Sequence, residues 1–311
     1  MSNLVIETSG LTRYFGRKCA VDQVTMSVPR GAVFALLGRN GSGKSTIVRM
    51  LLGLLEPTRG SASVLGEDCQ RLSPATRGRI AYVAEGHPLI DWMRVGQLED
   101  FQKSFYPDWD GHLFAKVVEH FDLNIQARAG HLSRGQRAGL SLALALAARP
   151  ELLIMDDPAL GLDPVARRTL LETMILMTRD AGHTIFFTSH VLDDVERVAD
   201  HVAIIDRSIL RVSCPVETFH ARVKAVVLEF AGPPPQMPKL PGLLESRRTA
   251  NQVRLIIANF GPDAERIIAS LGAMSVNEAA LSLEDAVIAY LGRRGEQTSL
   301  LSDIKEIGVA K

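Results

Sequence analysis

The sequence predicts an α/β fold on a parallel sheet, with a helical subdomain inserted in it and a small α+β domain after it. Three observations lead there. Apolar runs at 32–37, 80–83, 151–156, 184–188 and 202–206 have the composition of strands buried on both faces. Helical patterns separate several of these runs, and strands alternating with helices make an α/β layer. Between about 86 and 148 the strand-like runs disappear and helix-like segments take over.

Taken in order, residues 3–8 and 21–28 alternate apolar and polar and read as strands of a partly exposed sheet. The buried run AVFALL leads into a glycine-rich loop, Gly38 to Gly43, and a helical pattern over 44–54. The inserted region carries helices at 95–105, 112–121 and 136–148. A helix over 164–181 starts with Pro164 behind Asp163 and stops at Gly182, good signals at both ends. Another covers 191–199.

From Lys224 the composition changes. Residues 232–242, GPPPQMPKLPG, hold five prolines in eleven residues, which makes a stiff linker or an extended loop. Around them lie strand candidates at 225–230, 252–258 and 273–277, and helices at 263–271 and 283–292. In the last helix Leu283, Ala286, Val287, Tyr290 and Leu291 share one face, a packing face first. The expected division is 1–222, 223–294 and a tail over 295–311.

The chain has 311 residues, with 35 Lys plus Arg against 35 Asp plus Glu, and 5% aromatics. A neutral chain poor in aromatics argues against a nucleic-acid partner. Cys19, Cys69 and Cys214 are far apart, which suits a reducing compartment. The eight histidines show no metal-ligand spacing, so no zinc site is expected. The longest apolar run, Ala138 to Ala148, falls short of the ~20 residues that cross a bilayer. No basic run precedes an apolar stretch at the N-terminus, so no leader and no span are expected.

The strongest chemical signal is Gly38-Arg39-Asn40-Gly41-Ser42-Gly43-Lys44-Ser45-Thr46. It fits G-x-x-x-x-G-K-[ST] between a buried strand and a helix. The glycines let backbone N–H groups wrap phosphate oxygens, and the helix N-terminus adds partial positive charge. Lys44 can reach the β and γ phosphates, and the Ser45 hydroxyl can ligate Mg²⁺. Asp156, ending the run Leu152-Leu-Ile-Met-Asp156, can hold Mg²⁺ through water. Asp157 can orient the attacking water, or cap a turn.

Further motifs follow in series. Leu132-Ser133-Arg134-Gly135-Gln136 stands 23 residues before Asp156, counted from Ser133. Asp156-Asp157-Pro158, Gly161-Leu162-Asp163-Pro164 and Thr188-Ser189-His190 come after it. With the phosphate loop, over roughly 4–220, the chain resembles the nucleotide-binding subunit of an ATP-binding cassette (ABC) transporter of the export-type branch. The resemblance implies a P-loop NTPase cassette with an antiparallel β subdomain and an inserted helical subdomain, using ATP and Mg²⁺. It implies two cassettes packed head to tail, as homodimer or heterodimer, so that Ser133, Gly135 and Gln136 contact ATP held by the partner. Asp163 would shape that interface. Phe15 matches the aromatic that stacks on adenine, with Tyr14 as the alternative, and His190 matches the switch histidine at the γ phosphate.

Two residues depart from the family pattern. Asp157 stands where a Glu is usual, its carboxylate drawn back by about 1.5 Å. Slow hydrolysis is expected, with a faster Asp157→Glu variant. Glu85 stands where a Gln is usual, and can still ligate Mg²⁺ or position water. The resemblance also implies an integral transmembrane permease as partner, and a cytoplasmic location, peripheral on the inner face of the cell membrane. Residues 87–98, with Trp92 and Met93, fall where a permease helix would dock, or form local core. The other reading is a soluble ABC-type ATP switch, though such relatives generally carry two cassettes or long coiled coils. A P-loop kinase lacks the 132–136 and 161–163 motifs.

Overall fold

The computed structural model describes residues 3–181 and 183–292. The expected stop at Gly182 and the expected tail over 295–311 lie outside them. The contacts divide the chain into two units, Met1–Leu210 and Arg211–Lys311. Composition shifts only at Lys224, so the contact boundary precedes the compositional one.

The first unit opens with a hairpin of β1 (Leu4–Phe15) and β2 (Lys18–Pro29). The first predicted strand continues to Phe15, beyond residue 8, because a register shift between Thr8 and Leu11 absorbs Gly10. Next come β3 (Val33–Leu37), with five buried residues, and α1 (Lys44–Leu51). Sequence reasoning did not assign β4 (Arg59–Val64), β5 (Glu67–Asp68) or the short α2 (Pro74–Arg77). The first of these is half exposed and polar, and contains Gly60. β6 (Ile80–Val83) follows.

The inserted helices are α3 (Val95–Lys103), α4 (Gly111–His120) and α5 (Arg134–Ala147). They pack tightly: a Cβ on Gly139 would lie 2.2 Å from Cγ of Phe121. The chain returns through β7 (Leu152–Met155), α6 (Pro164–Ala181), β8 (Thr184–Ser189), α7 (Leu192–Val198), β9 (His201–Asp206), β10 (Ile209–Pro215) and α8 (Val216–Arg222).

The ten strands form one sheet in the order β5-β4-β1-β2-β10-β9-β3-β8-β7-β6. One half, β9 to β6, is parallel, and the other, β5 to β2, is antiparallel. Register brings the carboxyl ends level: Leu37 pairs with Ser189, Met155 with Phe187, and Val83 with Met155. Such ends are where open α/β sheets bind ligands. The glycine-rich loop, Glu85, Asp156 with Asp157, and His190 follow the ends of β3, β6, β7 and β8 in turn.

The second unit holds an antiparallel sheet, β12-β13-β11-β14, from β11 (Val223–Glu229), β12 (Leu243–Arg248), β13 (Gln252–Ala258) and β14 (Ser275–Ala279). The helices α8, α9 (Pro262–Ala269) and α10 (Leu283–Gly292) belong to the same unit. The proline segment is a loop of this unit joining β11 to β12, with Leu240 buried in the core and Met237 packed on it. β12 escaped sequence reasoning because it is a polar edge strand (LLESRR) without an apolar alternation.

Candidate functional site

The phosphate loop leaves β3 in a conformation that only glycine accepts at key points. Gly43 has φ 112°, and a Cβ there would lie 2.3 Å from the Ala20 carbonyl oxygen. A Cβ on Gly38 would lie 2.4 Å from the Ile205 carbonyl oxygen. The helix α1 behind the loop has no side-chain cap and no acidic residue in its first turn. Its first N–H groups are thus left for an anion. Lys44 is buried, and its Nζ donates to the carbonyls of Gly38 (2.6 Å) and Arg39 (3.4 Å). Burial lowers its pKa, and the charges of Asp157, Asp156 and Glu85 oppose that shift. The Ser42 hydroxyl is buried without a hydrogen-bond partner among the described residues.

Two carboxylates follow β7. Asp156 is 3% exposed, and its Oδ1 accepts a 2.7 Å hydrogen bond from Thr188 Oγ1. The same hydroxyl oxygen accepts from the Asp157 N–H at 2.9 Å. One buried threonine on β8 therefore sets both residues, a role the sequence series did not reveal. Asp157 sits at φ 45°, in the left-handed region that Asp tolerates better than most residues. Its Oδ2 lies 2.6 Å from His190 Nδ1.

These groups meet at a cleft of about 400 Å³. Asn40, Gly41, Gly43, Lys44, Ser45 and Thr46 line it from the loop, and Glu85, Asp156 and Asp157 from the neighbouring strand ends. Phe15 lines the same cleft from the hairpin; Tyr14 does not. The Phe15 ring is 48% exposed, with the Arg13 guanidinium 4.9 Å from its centroid. His190 touches the site through Asp157. Gly38 and Ser42 lie within the loop and do not line the cleft.

Ser133, Gly135, Gln136 and Asp163 also lie away from the cleft and form a cluster of their own. Ser133 caps α5: its hydroxyl accepts from the Gln136 N–H, and Gln136 Oε1 accepts from the Ser133 N–H. A Cβ on Gly135 would lie 2.8 Å from the Ala166 Cβ and 3.9 Å from Asp163 Oδ2. Asp163 in turn caps α6, accepting from the N–H groups of Val165 and Ala166.

The cleft chemistry suits a hard cation carried by a polyphosphate. Ser45, Asp156 and Glu85 offer only oxygen donors, the kind Mg²⁺ prefers. Among the described residues no group of three or more His, Cys, Asp or Glu side chains is placed to hold a metal. Sequence reasoning also missed His87, which is buried with Nε2 3.0 Å from the Pro158 carbonyl oxygen. Burial lowers its pKa; the Arg137 charge acts the same way, and the Pro158 contact opposes both.

The family profile described as ABC transporter matches residues 21–160. A Nod factor export ATP-binding protein I from Rhizobium sp. (strain N33) is 32% identical over 311 residues, covering 96% of this chain and 100% of that one. The chain belongs to the ABC transporter ATP-binding family. The bacitracin transport ATP-binding protein BcrA of Bacillus licheniformis is 31% identical over 228 residues, 73% of this chain and 74% of that protein. A solved ATP-binding subunit of an ABC transporter superposes with a TM-score of 0.63 at 26% identity, covering 70% of this chain and 92% of that one. The protein is thus an ABC-type ATPase subunit, with relatives named for Nod factor export and bacitracin transport. The Rhizobium match covers so much of both chains that it includes the second unit of this ABC subunit.

Proposed function

We propose that this ABC subunit hydrolyses Mg·ATP slowly and powers export through a separate transmembrane permease. The observation that carries the slow step is the Asp157–His190 pair, 2.6 Å apart at the cleft that also holds Lys44 and Glu85. Lys44 exchanges the Gly38 carbonyl for β and γ phosphate oxygens as ATP enters. Loop N–H groups wrap those phosphates, and Phe15 stacks on the adenine. Ser45, Asp156 and Glu85 would hold Mg²⁺, which would supply charge neutralisation to the transferring phosphoryl group. Asp157 aligns the attacking water, and His190 orients the Asp157 carboxylate and meets the γ phosphate.

Asp157 is shorter by one methylene than the Glu that is usual here, and an error of ~1 Å in positioning can cost about a hundredfold in rate. The exposed Ser133 and the half-buried Gly135 and Gln136 form a helix N-terminus that does not line this chain's own cleft, which supports their use on ATP held by a partner cassette. Asp163, packed beside Gly135, would link the two sites.

Among the described residues no helix is long and apolar enough to cross a membrane. An apolar groove of about 690 Å³ runs beside β6 and the inserted helices, lined among others by Tyr82, Pro88, Leu89, Ile90, Phe101 and Tyr106. Trp92, just beyond Ile90, is 68% exposed. This supports the docking reading for Pro88 to Trp92, while His87, Val95 and Leu98 are buried as local core. A cytoplasmic helix of the permease would lie in the groove, placing the subunit at the inner face of the membrane.

The test is MgATP turnover by purified protein. Asp157→Asn is expected to lower kcat at least tenfold with little change in KM, and Asp157→Glu to raise it. Turnover indifferent to Asp157→Asn removes the assignment. Purification from membranes should bring down one integral protein, lost on Tyr82→Asp.

A further inference from the structure

The turn Ala84–His87 leaves β6 and carries Glu85 into the cleft. His87 N–H donates to the Ala84 carbonyl at 3.1 Å and closes it. Gly86 at φ 73° and His87 at φ 51° are both left-handed. For His87 that conformation carries a cost that a glycine would avoid. The ring is 3% exposed. A carbonyl oxygen only accepts, so the Nε2 facing Pro158 is the donor of that contact. Nδ1 has no hydrogen-bond partner among the described residues.

A buried, half-satisfied imidazole on left-handed backbone is costly, and what it supplies in return is a donor to the Pro158 carbonyl, which an apolar side chain would leave without that partner. Its effect is to join two loops. Pro158 directly follows Asp157, and His87 comes two residues after Glu85. On its far side the Asp157 loop is held by Thr188; on its near side His87 holds it.

We propose that His87 is a positioning residue: its Nε2–H fixes the Pro158 carbonyl, and with it the Asp157 carboxylate, against the turn that bears Glu85. The proposal rests on the reading of Asp157 as the water-aligning group. It has a mechanical corollary. Pro88, Leu89 and Ile90 continue from His87 into the lining of the apolar groove, so a shift of that segment reaches Asp157 through one hydrogen bond.

The test compares His87→Leu, which keeps bulk and removes the donor, with His87→Gln, whose Nε2 falls where the ring Nε2 stood. Two readouts are taken on the full chain: kcat and KM for MgATP, and amide exchange over 159–162 without nucleotide. His87→Leu is expected to lower kcat about 10- to 100-fold, with KM within about twofold. Exchange over 159–162 rises about tenfold with loss of one hydrogen bond, and His87→Gln restores both readouts. Wild-type kcat and exchange in His87→Leu would overturn the proposal, as would failure of His87→Gln to restore either, or a change in KM larger than that in kcat. If His87→Leu does not fold, His87→Met makes the same comparison. A wild-type chain without turnover defeats the Asp157 reading, and the exchange readout still decides whether His87 clamps the loop.

Discussion

Replacing Thr188 by valine removes one oxygen and leaves the shape nearly unchanged. The structure says what that oxygen does. It donates to Asp156 Oδ1 at 2.7 Å and accepts from the Asp157 N–H at 2.9 Å, at a side chain with no exposed surface. Valine therefore orphans two buried groups at once. The uncharged N–H costs about 1–2 kcal/mol and the carboxylate oxygen about 1.5–3 kcal/mol, roughly 2.5–5 kcal/mol in all. For a unit of this size that lowers Tm by about 5–20 °C. Asp156 and Asp157 also lose their common anchor, so kcat should fall about a hundredfold, the cost of an ~1 Å misplacement. Thr188→Ser keeps the hydroxyl and should retain most of both properties. Thermal melts and steady-state MgATP turnover of the two variants decide it. A Thr188→Val protein with Tm within about 1 °C of wild type and unchanged kcat would refute the reasoning.

Three other perturbations give distinct signs. The Glu151 carboxyl is held down to about 2, first by its hydrogen bond to Arg79 and also by Arg30. Its folded value lies below the ordinary one of 4.5, so its stabilisation is present above that pH and lost as pH falls towards 2. Melts should show wild type above Glu151→Gln at pH 6, with the gap closing on acidification. Gly139→Ala should destabilise by about 1–3 kcal/mol through its clash with Phe121, against the usual gain for alanine in a helix; a denaturant midpoint that rises would contradict the packing. Burial pushes the Cys69 thiol up to about 12 and Cys214 to about 11. Maleimide at pH 8 should therefore label only Cys19 in the folded chain, and all three after denaturation, as counted by mass spectrometry.

The phosphate loop, the two aspartates and the parallel strands were legible because each depends on neighbours in sequence. A glycine pattern between an apolar run and a helix has few other uses, and the residues that end buried strands meet at one sheet edge by register. Thr188 and His87 were not legible in the same way. Thr188 acts on residues 31 and 32 positions away, and His87 on a carbonyl 71 positions away; neither carries a local pattern. Two of the strands that went unassigned, β4 and β12, are exposed or polar, and their partners rather than their own sequence make them strands. The segment 232–242 allowed a linker or a loop, and the burial of Leu240 selects the loop.

The sheet has two differently built halves, and the cleft straddles their seam. Phe15, proposed to face the base, stands on an antiparallel hairpin, whereas the residues proposed to face phosphate follow parallel strands. On that proposal, substitutions at the exposed Phe15 would retune nucleotide preference with little effect on bond cleavage, and changes at the parallel strand ends would retune cleavage with little effect on base choice. Selectivity and turnover would then be separable variables, open to independent adjustment by evolution or by design.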